Sequence, residues 1–178
     1  MKKQLLTGLA LAAALSTTAF AQTVPPSKTS VAEGEQATMT YFVQDSVGDV
    51  QLGRLGLEKA GDAGVRALAQ AMVRDHTRTA MAGLQVARQI ADDDARFKAG
   101  DDNQIQLSRL ARFGGARFDR EYVDALVDAH KTDIQTARDA LAFVKTPAVR
   151  DYLRTSILVD TRHLRMAQAL QSRLSSAG

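Results

Sequence analysis

The sequence predicts an all-α protein. Apolar residues recur at threes and fours through four long segments, and no segment alternates apolar with polar residues as a half-buried strand would. The connections between those segments are unequal, two short and one long, and that inequality decides how the helices are joined.

The first helical segment runs from about Thr40 to Lys59 and carries Phe42, Val43, Val47, Val50, Leu55 and Leu57. Gly48, Gly53 and Gly56 lower its helix propensity but let a neighbouring helix come close. The second opens at Asp62, a residue suited to accept the free amides of a first turn, and carries Val65, Ala69, Met72, Ala80, Leu84, Ala87 and Ile90. A third follows Gly114-Gly115, with Asp119 as the expected N-cap and Val123, Leu126, Val127, Ile134, Ala137, Leu141 and Val144 as its stripe. The fourth opens with Thr146-Pro147, a cap residue followed by proline at the first helical position. Its stripe is Val149, Leu153, Ile157, Leu164, Ala167, Leu170 and Leu174.

The first and second segments, and the third and fourth, are joined by about two residues each; between the pairs lies a long stretch, Asp92 to Phe118, with a short helix expected over Gln104 to Arg112. Two tight helical hairpins joined by one long crossover is the pattern of a ferritin-like four-helix bundle. The acidic clusters Asp92–Asp94 and Asp101–Asp102 read as solvated loop.

The expected domain spans residues 38–176. Ahead of it, residues 1–21 read as a secretory signal peptide: Lys2 and Lys3, an apolar run, then Ala19-Phe20-Ala21 as a cleavage site. No Cys follows that run, which argues against a lipoprotein anchor. Residues 22–37, with Pro25-Pro26 and little apolar content, read as a flexible tether. The expected location is therefore periplasmic or secreted, with no transmembrane span once the signal is removed.

The 178 residues are 45% hydrophobic and 24% charged, which suits one folded domain. Absence of Cys excludes a disulfide scaffold, a thiolate metal site and a Cys nucleophile. Lys and Arg number 23 against 20 Asp and Glu; two lysines leave with the signal, so the remaining chain is close to neutral. Such a balance gives no concentrated basic face for nucleic acid. No serine sits in a glycine elbow, and no glycine loop with lysine cradles phosphate, so no catalytic residue is assigned. Tyr122 and Tyr152 read as aromatics at the edge of the core, and Met72, Met81 and Met166 as core packing.

The run Val50-Gln51-Leu52-Gly53-Arg54-Leu55-Gly56-Leu57-Glu58-Lys59-Ala60 resembles a recurring first-helix motif. Ala71-Met72-Val73-Arg74-Asp75-His76, Phe118-Asp119-Arg120-Glu121-Tyr122-Val123 with Asp128-Ala129-His130, and Arg162-His163-Leu164 complete the set. Together, over roughly Tyr41 to Leu174, they resemble exported bacterial ferritin-like proteins grouped as a domain of unknown function. The resemblance implies a secreted four-helix domain and no settled activity.

The three histidines carry the most chemistry. His76, His130 and His163 each fall on or beside an apolar stripe. His76 lies about fourteen residues into its helix; His130 and His163 lie about sixteen residues either side of one turn, so at ~1.5 Å per residue all three reach mid-bundle. One expectation is a single transition metal held by these imidazoles, with Asp160, three residues before His163, or Asp49 completing the shell. The other is buried His–Asp pairing that fixes helix register. The Glu-x-x-His pairs of di-iron bundles are incomplete here, because Val73 and Val127 stand three residues before His76 and His130. Asp75 is rotated about 100° around the helix from His76, and Asp128 points nearly opposite His130. On balance the sequence favours a non-enzymatic protein acting by binding, assembly or envelope stress, with an envelope protein or a second copy as partner. The metal-binding protein is the alternative.

Overall fold

The computed structural model describes the backbone of residues 28–90 and 99–176, and side chains from Gly34 onward. Residues 1–21, the first part of the expected tether and Asp92–Asp94 lie outside the described residues. Five helices follow in order: α1 Lys28–Lys59, α2 Ala63–Ile90, α3 Asp101–Leu110, α4 Gly115–Phe143 and α5 Pro147–Ser176. No strand occurs among the described residues. Helices α1 and α2 pack as one hairpin and α4 and α5 as another; α2 lies on α5, α1 on α4, and the short α3 lies against α1.

Helix α1 begins at Lys28, so residues 28–37, expected as tether, are helical. Tertiary packing overrides their weak local pattern. The Glu35 carboxylate accepts the backbone N–H groups of Lys145 and Thr146 in the α4–α5 turn, the latter at 3.0 Å, and Met39 is fully buried one turn on. At the other end of the hairpin, Asp62 caps α2: its Oδ1 accepts the N–H of Gly64 at 2.8 Å and of Val65 at 3.1 Å. The Arg173 guanidinium from the end of α5 pairs with the same carboxylate, and chiefly for that reason its pKa falls to about 2. Pro147 opens α5, after Thr146, as its sequence position implied.

Asp119 is not the N-cap of α4. That helix starts at Gly115, from a Gly114 cap that offers no side chain. Asp119 lies one turn inside and reaches across to the α1–α2 turn, where its two oxygens accept the N–H groups of Gly61 at 3.1 Å and Asp62 at 2.9 Å. Replacing Asp119 with Ala strands two turn amides beneath the fold. A loss of about 1–3 kcal/mol is expected in urea denaturation; an unchanged midpoint would show the turn to be held by other contacts. Asp101 and Asp102, expected in loop, form the first turn of α3, where negative charge favours the helix dipole.

Close approach in the first hairpin rests on Gly56. A Cβ there would lie 2.6 Å from the Tyr122 hydroxyl and 2.7 Å from Ala69 Cβ. Tyr122 is therefore fully buried rather than at the edge of the core. Met81 departs from its expected packing role in the opposite sense, being 67% exposed.

The core divides into two apolar clusters. One gathers Leu52, Leu68, Met72, Phe118, Tyr122 and Leu126 near the α1–α2 turn. The other gathers Met39, Phe42, Val43, Ala137, Val149 and Leu153 near the α4–α5 turn. Between them every long helix contributes buried polar residues at one level: Ser46 and Asp49 from α1, Asp75, His76 and Thr79 from α2, His130 and Asp133 from α4, and Ser156, Asp160 and His163 from α5.

Candidate metal centre

Burial of each histidine follows from its place on an apolar stripe. Relative exposures are 2% for His76 and zero for His130 and His163. The three rings converge, with centroids 5.0 Å apart for His76–His163 and 5.6 Å for His76–His130 and His130–His163. One nitrogen from each lies within 4.8 Å of the others.

The neighbours decide which nitrogen faces inward. His163 Nε2 is 3.1 Å from Asp75 Oδ2, so Nε2–H donates to that carboxylate and Nδ1 keeps its lone pair. That Nδ1 stands 3.1 Å from His76 Nε2. His130 Nε2 lies 3.3 Å from Met72 Sδ, which leaves Nδ1 as the inward nitrogen. Asp160 Oδ1 stands 3.9 Å from both His76 Nε2 and His130 Nδ1. His76 Nδ1 faces Asp49 Oδ2 at 3.3 Å, without hydrogen-bond alignment. Asp49 Oδ2, His76 Nδ1 and His130 Nδ1 are all buried with no hydrogen-bond partner among the described residues.

Such orphaned atoms at the centre of a core are costly unless something else satisfies them. A zinc-like ion holds four donors at about 2.1 Å, which places the donors about 3.4 Å from one another. His76 Nε2–His163 Nδ1 at 3.1 Å and Asp160 Oδ1 at 3.9 Å from His76 Nε2 and from His130 Nδ1 lie either side of that spacing. Asp75, Asp49 and Met72 would then hold the outward nitrogens, the arrangement by which proteins orient metal-binding imidazoles.

Electrostatics fit the same set. Burial lowers His130 and His163 to about 4, with the neighbouring His130 adding to the effect on His163. Burial, then His130 and His163, push His76 well below the usual imidazole range. All three are neutral at pH 7; the His130 Nδ1 lone pair is free, while His76 Nε2 and His163 Nδ1 share a hydrogen bond that a bound ion would replace. Burial raises Asp133 to about 7 and drives Asp49 and Asp160 well above the carboxylate range, with neighbouring aspartates adding to both of the latter. Burial also works on Asp75, but the Arg74 guanidinium and His163 hold that carboxyl below its usual value.

The structure thus brings His76, His130, His163, Asp49 and Asp160 together, and it places Asp62, Asp119 and Pro147 at helix ends and turns away from this layer. Sequence reasoning set Asp75 aside by its direction, read Met72 as core packing, and did not single out Asp133 or Asp45. Asp75 does lie 100° around α2 from His76, but that direction faces α5 and His163 rather than solvent. Asp133 follows His130 by three residues, the spacing that singled out Asp160 and His163, read in the other direction. Asp45 is one turn before Asp49 on α1.

A family model described as a domain of unknown function, DUF4142, matches residues 20–170. The chain belongs to the DUF4142 family. No curated protein matches it. Among solved structures it is similar to the crystal structure of a DUF305 fragment from Deinococcus radiodurans, with a TM-score of 0.64 and 13% identity over 84% of this chain and 99% of the fragment. At that identity the likeness concerns the fold alone.

Proposed function

We propose that this DUF4142 protein binds a single divalent transition metal ion through His76 Nε2, His130 Nδ1, His163 Nδ1 and Asp160 Oδ1. The observation that carries the reading is the convergence of three neutral, buried imidazoles from three helices, with the inward His130 Nδ1 left without a hydrogen-bond partner among the described residues. Three nitrogens and one oxygen, without thiolate, suit zinc, copper(II) or another first-row divalent ion. Four protein donors would fill a tetrahedral shell and leave no position for a substrate, which favours a non-enzymatic role in metal binding over catalysis.

The proposal extends to architecture and setting. Two hairpins joined by the crossover that carries α3 support a ferritin-like reading of the bundle, with one ion in place of a di-iron pair. The residues before the bundle support export through a signal peptide, hence an envelope or secreted role. No helix among the described residues is long and apolar enough to cross a membrane.

Elemental analysis of the untagged protein, followed by cobalt(II) titration of the chelator-treated form, tests this directly. One equivalent is expected, with the ligand-field bands of tetrahedral coordination by three nitrogens and one oxygen. Melting temperature should fall on chelation, since an ion at 100 times its dissociation constant stabilises the fold by about 2.7 kcal/mol. No uptake and no thermal shift with any metal would return the histidines to core packing. Asp75→Asn probes the support of His163: an affinity about 10–100-fold weaker is expected at unchanged stoichiometry, read by competition with a chromophoric chelator.

A further inference from the structure

Two surface depressions reach the polar layer, and they differ in electrostatic character. Between α2 and α5 a groove of about 580 Å³ ends at Asp75. Three guanidiniums ring that carboxylate: Arg74 Nε at 2.9 Å, Arg162 Nη1 at 3.7 Å and Arg78 Nη1 at 4.0 Å. Among the lining residues Arg78 and Arg162 offset Asp75 and Asp151, and Arg74 adds a further positive charge beside Asp75.

The second depression, about 340 Å³, lies between α1, α3 and α4. Five carboxylates line it, Asp45, Asp49, Asp102, Asp128 and Asp133, with Arg109 as the single cation among the lining residues. Asp102 and Asp128 are exposed at its mouth, and Asp45 is half-buried below them. Asp49 and Asp133 form its floor, where Asp49 is 2% exposed. The same Asp49 Oδ2 that has no hydrogen-bond partner stands 3.3 Å from His76 Nδ1, so one side chain belongs to both the cleft and the centre. Asp133 Oδ2 likewise stands 3.8 Å from His130 Nδ1. Asp49, His130 and Asp133 form a second group whose donor atoms lie within 4.8 Å of one another.

Helix α3 roofs this cleft. The Asn103 amide nitrogen donates to the backbone oxygen of Asp45 at 3.4 Å, and the Gln104 amide to Gln51 Oε1 at 2.8 Å. Asn103 sits where a side chain at position 48 would be: a Cβ on Gly48 would fall 1.5 Å from its amide nitrogen. The glycine lets the crossover helix settle directly over the aspartates.

We propose that the cleft beneath α3 is the entry site of the centre, where Asp49 and Asp133, reached past Asp45, form an oxygen-donor position that takes a divalent cation from water and passes it to the histidines. This rests on the metal-binding reading above. Exposed carboxylates at the mouth draw the hydrated ion in. The oxygen donors replace part of its water shell. Asp133, 3.8 Å from the proposed ligand His130 Nδ1, hands it on, while Asp49 borders the outward nitrogen of His76.

Stopped-flow cobalt(II) uptake by the chelator-treated full chain, followed at the ligand-field bands, tests the route. The Asp102→Asn/Asp128→Asn double variant is expected to load about three- to tenfold more slowly at low ionic strength, and to match the wild type at high salt. Its final spectrum and stoichiometry should be unchanged. Asp45→Asn is expected to load about tenfold more slowly at every ionic strength, because its contact is short-range. Asp151→Asn, on the α2–α5 groove, should load at the wild-type rate. Normal loading by both cleft variants, or slowing by Asp151→Asn instead, overturns the entry site and leaves the metal centre standing. A wild type that takes up no cobalt overturns the metal reading and this inference with it.

Discussion

His130→Leu is expected to abolish stoichiometric metal binding while leaving the metal-free protein at least as stable as the wild type. His130 is fully buried, and its Nδ1 has no hydrogen-bond partner among the described residues. A buried polar atom left unsatisfied costs about 1–3 kcal/mol, and leucine of similar volume removes that cost while filling the space. Loss of the contact with Met72 Sδ works the other way and is smaller. The net expectation is a gain of about 1–2 kcal/mol in the metal-free form, measured by urea denaturation with chelator present. Were His130 a register-fixing core residue, the same substitution would destabilise. A clear loss of metal-free stability, with metal uptake intact, would therefore reject the centre in favour of structural pairing.

Raising the pH above 6.5 is expected to lower the stability of the metal-free protein and to have little effect on the loaded form. Burial depresses the three histidines below their unfolded value of 6.5. Their contribution is complete above pH 6.5 and is lost as the pH falls toward about 4 for His130 and His163. The aspartates carry the opposite sign. Asp133 is raised from 3.8 to about 7, so the stability of its protonated form is complete below 3.8 and is lost as the pH rises through about 7. Asp49 and Asp160 shift the same way. Between pH 4 and 6.5 the two sets oppose one another; above 6.5 the histidines add nothing further and the aspartates continue to lose. The slope is about 1.4 kcal/mol per pH unit for each proton by which the states differ. A bound cation replaces the proton of Asp160 and, by its positive charge, favours the ionised forms of Asp49 and Asp133, which reduces the dependence. Thermal melts from pH 6.5 to 8, with metal and with chelator, make the comparison; a metal-free melting temperature that rises across this range would contradict it.

Much of this layer was legible in the sequence because helical rise is uniform. Counting residues from the turns put His76, His130 and His163 at one depth, and Asp160 followed from sharing a face with His163. Asp62 and Thr146-Pro147 marked helix starts through local chemistry alone. What could not be read depends on neighbours distant in sequence. Glu35 looks like a tether residue until the turn amides of Lys145 and Thr146 are beside it. Asp119 looks like a cap until Gly61 and Asp62 present theirs. Asp75 looks misdirected until α5 is placed on that side of α2. Met81 lies on helix α2 among core residues but faces out, because periodicity gives an angle around the axis and not the partner found there.

Glu35 and Asp119 have a joint consequence. Glu35, from the first hairpin, grips the turn of the second, and Asp119, from the second, grips the turn of the first. The two grips lie at opposite ends of the molecule, so neither hairpin can slide along the other without breaking both. One residue of slip would move a side chain by about 1.5 Å, comparable to the difference between a bonded and a broken metal–ligand contact. The alignment of donors drawn from separate hairpins is thus set at the ends of the molecule, far from the donors themselves, as the jaws of a calliper are held true by its frame.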